Sequence, residues 1–369
     1  MKVSIITPSL NSEKTIEQTI NSVLNQRYTD FEYIIIDGNS SDHTVDIIKE
    51  YIPLFGGRMR YISEEDDGIY DAMNKGIKLA RGNIIGIINS DDWYEKDTIE
   101  NVVEAYQGEK YEVVYGMQRT YLNGKMNILT ENAQLEEYPV CDLSALWYKM
   151  VIPHPTVFVR REIYKRYGVF KTQYNLSADY ELMLRLYSQN VKFSFVDSVL
   201  ANFRLGGESQ HNRIHCIKEG YDISFHYIDK CPVKKTVFPI LKEEYSYFFL
   251  EQLLLENPEA VLQKICNYFA TELYEVILFG TGFWGEKFDN AFSEMRIKVK
   301  YFLANNRSKG CLSRNDITIF LPNEIKELDD HIIIAVRKQD NEIKNQLKQL
   351  GLKNMITLCE IVKLVSDLQ

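Results

Sequence analysis

Positive charge is the scarcer kind in this chain: 43 Lys and Arg face 52 Asp and Glu, for a formal net charge of −9. A surface that tracks a nucleic-acid backbone needs clustered Lys and Arg, so the balance argues against nucleic acid as the main partner. Cysteine is also sparse. Cys141, Cys216, Cys231, Cys266, Cys311 and Cys359 lie far apart, with no CxxC pair. That spacing argues against a zinc knuckle or a dense disulfide framework and fits free thiols in a reducing cytoplasm. No stretch approaches the ~18 consecutive apolar residues of a membrane-spanning helix. The apolar run in "MKVSIITPSLN" is too short for a signal peptide and reads as a first strand. Low-complexity segments and solenoid-period repeats are absent as well.

What is present suits ordinary globular packing: 369 residues, 45% hydrophobic and 12% aromatic. That length exceeds most single cores and predicts two domains. The first ninety residues repeat one theme. Short β-branched runs at 3–7, 32–36, 59–62 and 83–88 alternate with helical patterns, which predicts a parallel sheet with helices on its faces. Further on, 112–116 reads as a strand, and 117–129 as a hairpin turning at Asn123-Gly124. A helix is predicted over 177–189. From about 221 the chain turns helical and rich in Tyr and Phe. At 274 a new strand, Gly-rich turn and helix begin, followed by strands at 297–306 and 331–336. The resulting division is 1–220, a helical connector over 221–272, and 273–369. Lys234, Lys235 and Lys242 precede an apolar run, which leaves open a helix lying against a membrane surface.

The strand ends carry the chemistry. In an open parallel sheet the ligand site lies outside the carboxyl ends of the strands. Here those ends are Thr7-Pro8-Ser9, Asp37, the Glu64–Asp67 cluster and Asp91-Asp92. Each acid alone has an ordinary structural role as a helix cap, and Asp92-x-x-Glu95 resembles a capping box. Several on one edge, with a doubled Asp at the last, point instead to a shared ligand. A bare anion would be repelled. A hard divalent cation takes oxygen ligands and joins protein carboxylates to substrate phosphates, and carboxylates also accept hydrogen bonds from ribose hydroxyls or a base N–H. A metal-bound nucleoside diphosphate meets all of these needs.

The run "TPSLN…IIIDGNSSDHTVDII…ISEEDDGIYDAMNKGIKLARGNIIGIINSDDWY…HPTVFVRREIY…GVF…SADYELMLRL…FRLGGES" resembles the family 2 glycosyltransferases, within them the bacterial branch that builds surface polysaccharides. The resemblance covers about residues 1–210 in order. It implies a GT-A fold, an α/β architecture with a mixed, mostly parallel sheet and helices on both faces. It also implies a nucleotide-sugar donor, most readily a UDP-sugar, and inversion at the anomeric carbon with Mn²⁺ or Mg²⁺. Residue by residue, it implies that the Thr7-Pro8 turn and Asp37 contact the nucleotide, with Asp37 on the base. Asp67 would lie near uracil or ribose, Asp91 would face ribose and donor sugar, and Asp92 would bind the metal. Asp179, in "SADY", matches the catalytic base. The usual Glu-Asp pair is Ala178-Asp179 here, and the common "DDGS" is "DGNS". Arg204 and Lys75 are phosphate candidates with ordinary surface or packing roles as alternatives. His211 is a candidate third metal ligand, and His154 a candidate on the acceptor side. A glycan or lipid-linked glycan acceptor at the cytoplasmic face of the cell membrane follows from the resemblance alone.

Gly280-Thr281-Gly282-Phe283-Trp284-Gly285 follows a strand and opens a helix, the context that gives GxGxxG meaning. A dinucleotide site also wants an acid at the end of the second strand, but that strand ends in Ala304-Asn305. The region 274–360 resembles small Rossmann-like modules appended to sugar-modifying transferases, with scaffold, oligomer contact or nucleotide binding all open. The leading expectation is a metal-dependent glycosyltransferase. An NAD-dependent sugar oxidoreductase using the C-terminal loop and a non-catalytic nucleotide-sugar-binding module are the alternatives.

Overall fold

A computed structural model describes residues 1–107, 111–121, 143–207, 211–305, 319–324 and 329–368. Most of the expected hairpin at 117–129, with its Asn123-Gly124 turn, lies outside these. The chain divides into two compact units, Met1–Leu241 and Lys242–Gln369. The helices of 221–272 are shared between them.

Among the described residues, the first unit is built on an eight-stranded sheet ordered β3-β2-β1-β4-β7-β6-β8-β5. Its strands are β1 (Val3–Ser9), β2 (Phe31–Asp37), β3 (Met59–Ser63), β4 (Ile84–Ile87), β5 (Trp93–Tyr94), β6 (Val113–Tyr121), β7 (Phe158–Arg160) and β8 (Phe193–Arg204). The first four strands pair in parallel, as the alternation of runs predicts. β7 then enters antiparallel to both β4 and β6. β6 runs unbroken to Tyr121 beside β8, with register shifts near Gly116 and Met117. The residues read as the first arm of a hairpin therefore continue the strand.

Helices cover both faces because the buried strands are apolar on both sides. On one face α1 (Ile16–Leu24), α2 (Thr44–Tyr51) and α4 (Thr98–Ala105) pack with Val3, Ile5, Tyr33, Ile35 and Ile84. On the other, α3 (Ile69–Leu79), α5 (Arg161–Tyr167), α6 (Ala178–Ser188) and α7 (Arg213–Tyr227) pack with Ile6, Ile34, Ile36, Ile85 and Ile87. α6 is anchored by Glu181, which is fully buried. Its carboxylate receives Lys171 at 2.7 Å, Arg185 at 3.0 Å and the Tyr227 hydroxyl at 2.5 Å. A buried carboxylate needs such partners, and here they hold the helix that carries Asp179.

The second unit has a parallel sheet of five strands among the described residues, ordered β11-β10-β9-β12-β13. These are β9 (Glu275–Phe279), β10 (Lys298–Leu303), β11 (Ile319–Phe320), β12 (Ile332–Ile334) and β13 (Met355–Thr357). The short β11 and β13 carry too little pattern to be read from sequence. α8 (Lys234–Glu256) runs across the unit boundary, and α9 (Pro258–Phe269), α10 (Phe283–Glu294), α11 (Asp340–Gln349) and α12 (Leu358–Val365) follow. Two of the glycines opening α10 are sterically required, while Gly282 meets no such constraint. Gly280 has φ +107°, and a Cβ at Gly285 would lie 1.9 Å from the Gly280 carbonyl oxygen. No helix among the described residues is long and apolar enough to cross a membrane.

β4 also needs a glycine. A Cβ at Gly86 would sit 2.3 Å from Cε1 of Phe158, which is wholly buried on β7. Gly86→Ala is expected to cost about 1–3 kcal/mol by overpacking, read as a lower urea midpoint with an unchanged slope.

Candidate active site

The parallel register brings polar side chains together at the strand ends. Ser9 pairs with Asp37, and Asp37 with Ser63, across β1, β2 and β3. Asp37 is completely buried. Its Oδ1 accepts from the Ser9 hydroxyl at 3.2 Å and the Ser40 hydroxyl at 2.5 Å. Its Oδ2 accepts from the Ser40 N–H at 3.0 Å and the Ser63 hydroxyl at 2.7 Å. Each carboxylate oxygen has about two acceptor sites, so this side chain is satisfied from within the chain.

The expected turn needs correction on this side. Thr7 and Pro8 form no turn: β1 continues through Ser9, pairing Thr7 with Ile35 and Pro8 with Ile36. The chain turns afterwards, at exposed Leu10 and at Asn11 with φ +47°. Thr7 is buried and accepts the Tyr33 hydroxyl at 3.0 Å. Asp67 is exposed, whereas the half-buried Asp66 packs against the Asp37-Gly38 corner. A Cβ at Gly38 would meet Asp66 Oδ2 at 2.7 Å. Asp66 Oδ1 accepts the Gly68 N–H at 3.0 Å. That two-residue Asp turn is the signal that could have separated the two acids. Burial raises the Asp66 carboxyl above its ordinary range, against the Gly68 hydrogen bond and Lys75. Lys75 itself braces this loop, reaching the Glu65 carbonyl at 2.8 Å, Glu64 at 3.1 Å and Asp71 at 3.3 Å.

Asp91 and Asp92 occupy the turn between β4 and β5, where the Asp92 N–H bonds to the Asn89 carbonyl at 3.1 Å. Buried Thr19 of α1 donates to the Asp92 carbonyl at 2.6 Å. No capping box forms: Asp92 Oδ1 accepts the Arg204 N–H at 2.9 Å, and α4 begins only at Thr98. Asp92 is wholly buried, and among the described residues its Oδ2 has no hydrogen-bond partner. Burial first, then the charge of Asp91, pushes its carboxyl well above the usual carboxylate range. Burial also raises half-buried Asp91, with Arg204 opposing.

Arg204 is built into this corner. Its Nε donates to the Asp91 carbonyl at 2.9 Å and Nη2 to Gln18 Oε1 at 2.6 Å, with the guanidinium 5.2 Å from the Trp93 ring. It shapes the acid pair, the packing alternative to a phosphate contact. Among the described residues, His211 does not group with Asp91 and Asp92. It is exposed, with Nδ1 at 3.1 Å from the Gly207 carbonyl. Among the described residues no three His, Cys, Asp or Glu side chains group around a possible metal position.

Asp179 stands in the first turn of α6. Its Oδ1 accepts the Tyr70 hydroxyl at 2.9 Å. His154 is near enough to Asp179 to feel its charge, although burial dominates and lowers the imidazole. The His154 and Tyr70 rings both pack on Phe170, at 5.8 and 5.4 Å between centroids. Asp179, Tyr70, His154 and Phe170 thus form one cluster. Tyr70 was missed by sequence reasoning because 109 residues separate it from Asp179.

A doubled acid at a parallel-sheet edge, a braced acidic loop and a separate carboxylate on α6 have clear relatives. The profile of glycosyl transferase family 2 matches residues 4–168. A PGL/p-HBAD biosynthesis glycosyltransferase of Mycobacterium bovis (strain BCG / Pasteur 1173P2) is 32% identical over 188 residues, which is 50% of this chain and 69% of the relative. The chain belongs to glycosyl transferase family 2. A chondroitin synthase of Escherichia coli is 30% identical over 208 residues, 56% of this glycosyltransferase but 29% of that protein. Two solved structures share the fold. Staphylococcus aureus TarS 1–349 in complex with UDP-GlcNAc has a TM-score of 0.54 and 17% identity, covering 74% of this chain and 84% of that one. The mannosyltransferase PcManGT of Pyrobaculum calidifontis, in complex with GDP-Man and Mn²⁺, has a TM-score of 0.53 and 20% identity, covering 70% and 71%. These are GT-A glycosyltransferases, the expected fold class. The family profile stops before Asp179. Residues 272–356 match a different profile, C2185-like, N-terminal.

The raised carboxyl of Asp92 makes a pH prediction. Stability associated with its proton is fully present below the ordinary aspartate value of 3.8 and is lost as pH rises through the higher folded value. Asp92→Asn is therefore expected to raise the melting temperature of EDTA-treated protein at pH 7.5 by about 2–4 °C. The gain should shrink as pH falls toward 4 in thermal scans.

Proposed function

We propose that this family 2 glycosyltransferase moves a sugar from a nucleoside-diphosphate donor, most readily a UDP-sugar, to a glycan hydroxyl with inversion. The observation that carries this reading is Asp92: a wholly buried carboxylate with an unpartnered oxygen, beside a second acid, among the described residues. That donor set fits a hard divalent cation, which commonly takes one or two protein carboxylates and completes its shell with water and substrate phosphate. Asp92 would hold Mn²⁺ or Mg²⁺, with Asp91 beside it toward ribose and donor sugar. When bound, the ion would neutralise charge developing on the leaving diphosphate.

The chain's own residues supply the rest. Asp66 against Gly38 supports a base- or ribose-side contact, with Asp37 holding the corner rigid. Asp179 accepts the proton of the acceptor hydroxyl as that oxygen bonds to the anomeric carbon. The bond from that carbon to the diphosphate oxygen breaks, and its electron pair leaves with the diphosphate. A single displacement of this kind inverts the centre. His154 feels the charge of Asp179 and packs on Phe170, which supports an acceptor-side role for His154.

The relative named chondroitin synthase supports a glycan acceptor. A lipid-linked glycan at the inner membrane face fits the exposed Val233, Phe238 and Ile240, which lie among Lys230, Lys234 and Lys235. Apolar and basic side chains together favour an anionic bilayer surface. The strand order of the second unit supports reading it as a Rossmann-like module.

Transfer from a panel of UDP- and GDP-sugars with Mn²⁺ or Mg²⁺ tests the assignment. Asp179→Asn is expected to lower kcat by about 100-fold or more, and Asp92→Asn to do likewise. EDTA should abolish wild-type turnover. Wild-type rates in both variants would refute the site.

A further inference from the structure

Helix α3 ends one side of the molecule's donor-side loop and reaches across to α6. Its residues fix three things at once. Lys75 braces the Glu64–Asp71 turn, as described above. Asn74 clips the chain before α6: its Nδ2 donates to the Phe170 carbonyl at 2.9 Å, and its Oδ1 accepts the Phe170 N–H at 3.0 Å. Tyr70, one turn earlier on the helix, donates its hydroxyl proton to Asp179 Oδ1 at 2.9 Å.

We infer that Tyr70 is a positioning residue for Asp179: it holds Oδ1 so that Oδ2 receives the acceptor proton. The inference rests on the reading of Asp179 as the base. Several observations converge on it. A lone carboxylate in the first turn of a helix rotates about two side-chain bonds, and a hydrogen bond from a rigid neighbour selects one setting. Tyr70 is that neighbour. It is 8% exposed, its ring stacks on Phe170, and Phe170 is clipped to the same helix by Asn74. Burial, and then the charge of Asp179, keeps its phenol protonated far above neutral pH, so it remains a donor. Because α3 begins at the acidic loop, the same helix ties the setting of Asp179 to the donor side of the site.

A double-mutant cycle on the full chain separates positioning from packing. UDP release is measured with UDP-GlcNAc, UDP-Glc and UDP-Gal, with Mn²⁺ and a simple sugar acceptor. Tyr70→Phe keeps the ring and removes the donor. It is expected to lower kcat about tenfold while leaving the donor KM unchanged. In an Asp179→Asn background the same change is expected to have no further effect. Equal losses in both backgrounds, or a full-rate Tyr70→Phe protein, would overturn the positioning role. Full-rate Asp179→Asn would instead remove the base reading, and the proposal with it. A readout without turnover runs in parallel. In protein labelled with 3-fluorotyrosine, Asp179→Asn should shift the ¹⁹F resonance that Tyr70→Phe deletes, and an unmoved resonance would contradict the contact.

Discussion

A carboxylate with no exposed surface and, among the described residues, one oxygen lacking a partner is the constraint around which the first unit is arranged. Asp92 sits beside Asp91 at the end of β4, where burial and like charge both disfavour its ionised form. The surroundings nevertheless fix it in place. Thr19 on α1 holds its backbone, the N–H of Arg204 on β8 holds one oxygen, and the Arg204 side chain reaches back to Asp91 and to Gln18. Strands β4 and β8 and helix α1 therefore converge on an acid pair that is costly to ionise in the apo protein. On the proposed reading, a cation and a diphosphate would relieve that cost on binding.

Asp37, at the same sheet edge, shows the contrast. It is just as buried, yet four donors satisfy it. The parallel register supplies two of them directly, since Ser9 and Ser63 flank Asp37 across the strands. Asp37 makes a rigid corner, whereas Asp92 keeps one buried oxygen without a partner among the described residues. Equal burial thus comes with unequal pairing, and a buried acceptor left unpaired in a native fold calls for an explanation.

Much of this was legible in the sequence, because the signals are local. The β-branched runs mark β1 to β4, their ends mark the acidic edge, and the pattern around "SADYELMLRL" marks α6 with Asp179 near its start. The errors share a different cause. Thr7-Pro8 looked like a turn because Pro ends many strands, but β1 is paired along its whole length and turns only after Ser9. Asp66 and Asp67 are indistinguishable in composition, and only the packing of one against Gly38 separates them. Arg204 carried both a phosphate and a packing reading, and its packing partners at Gln18 and Asp91 come from distant segments. Tyr70 was not singled out, because its hydroxyl meets a carboxylate 109 residues away that only the fold brings close.

The central claim is that Asp92 Oδ2 is a cation ligand. Mn²⁺ binding followed by electron paramagnetic resonance, in the presence of UDP, tests it most directly. The account predicts one tightly bound Mn²⁺ in the wild-type protein and its loss in Asp92→Asn, with the variant still folded by circular dichroism. Undiminished Mn²⁺ binding by folded Asp92→Asn would contradict it.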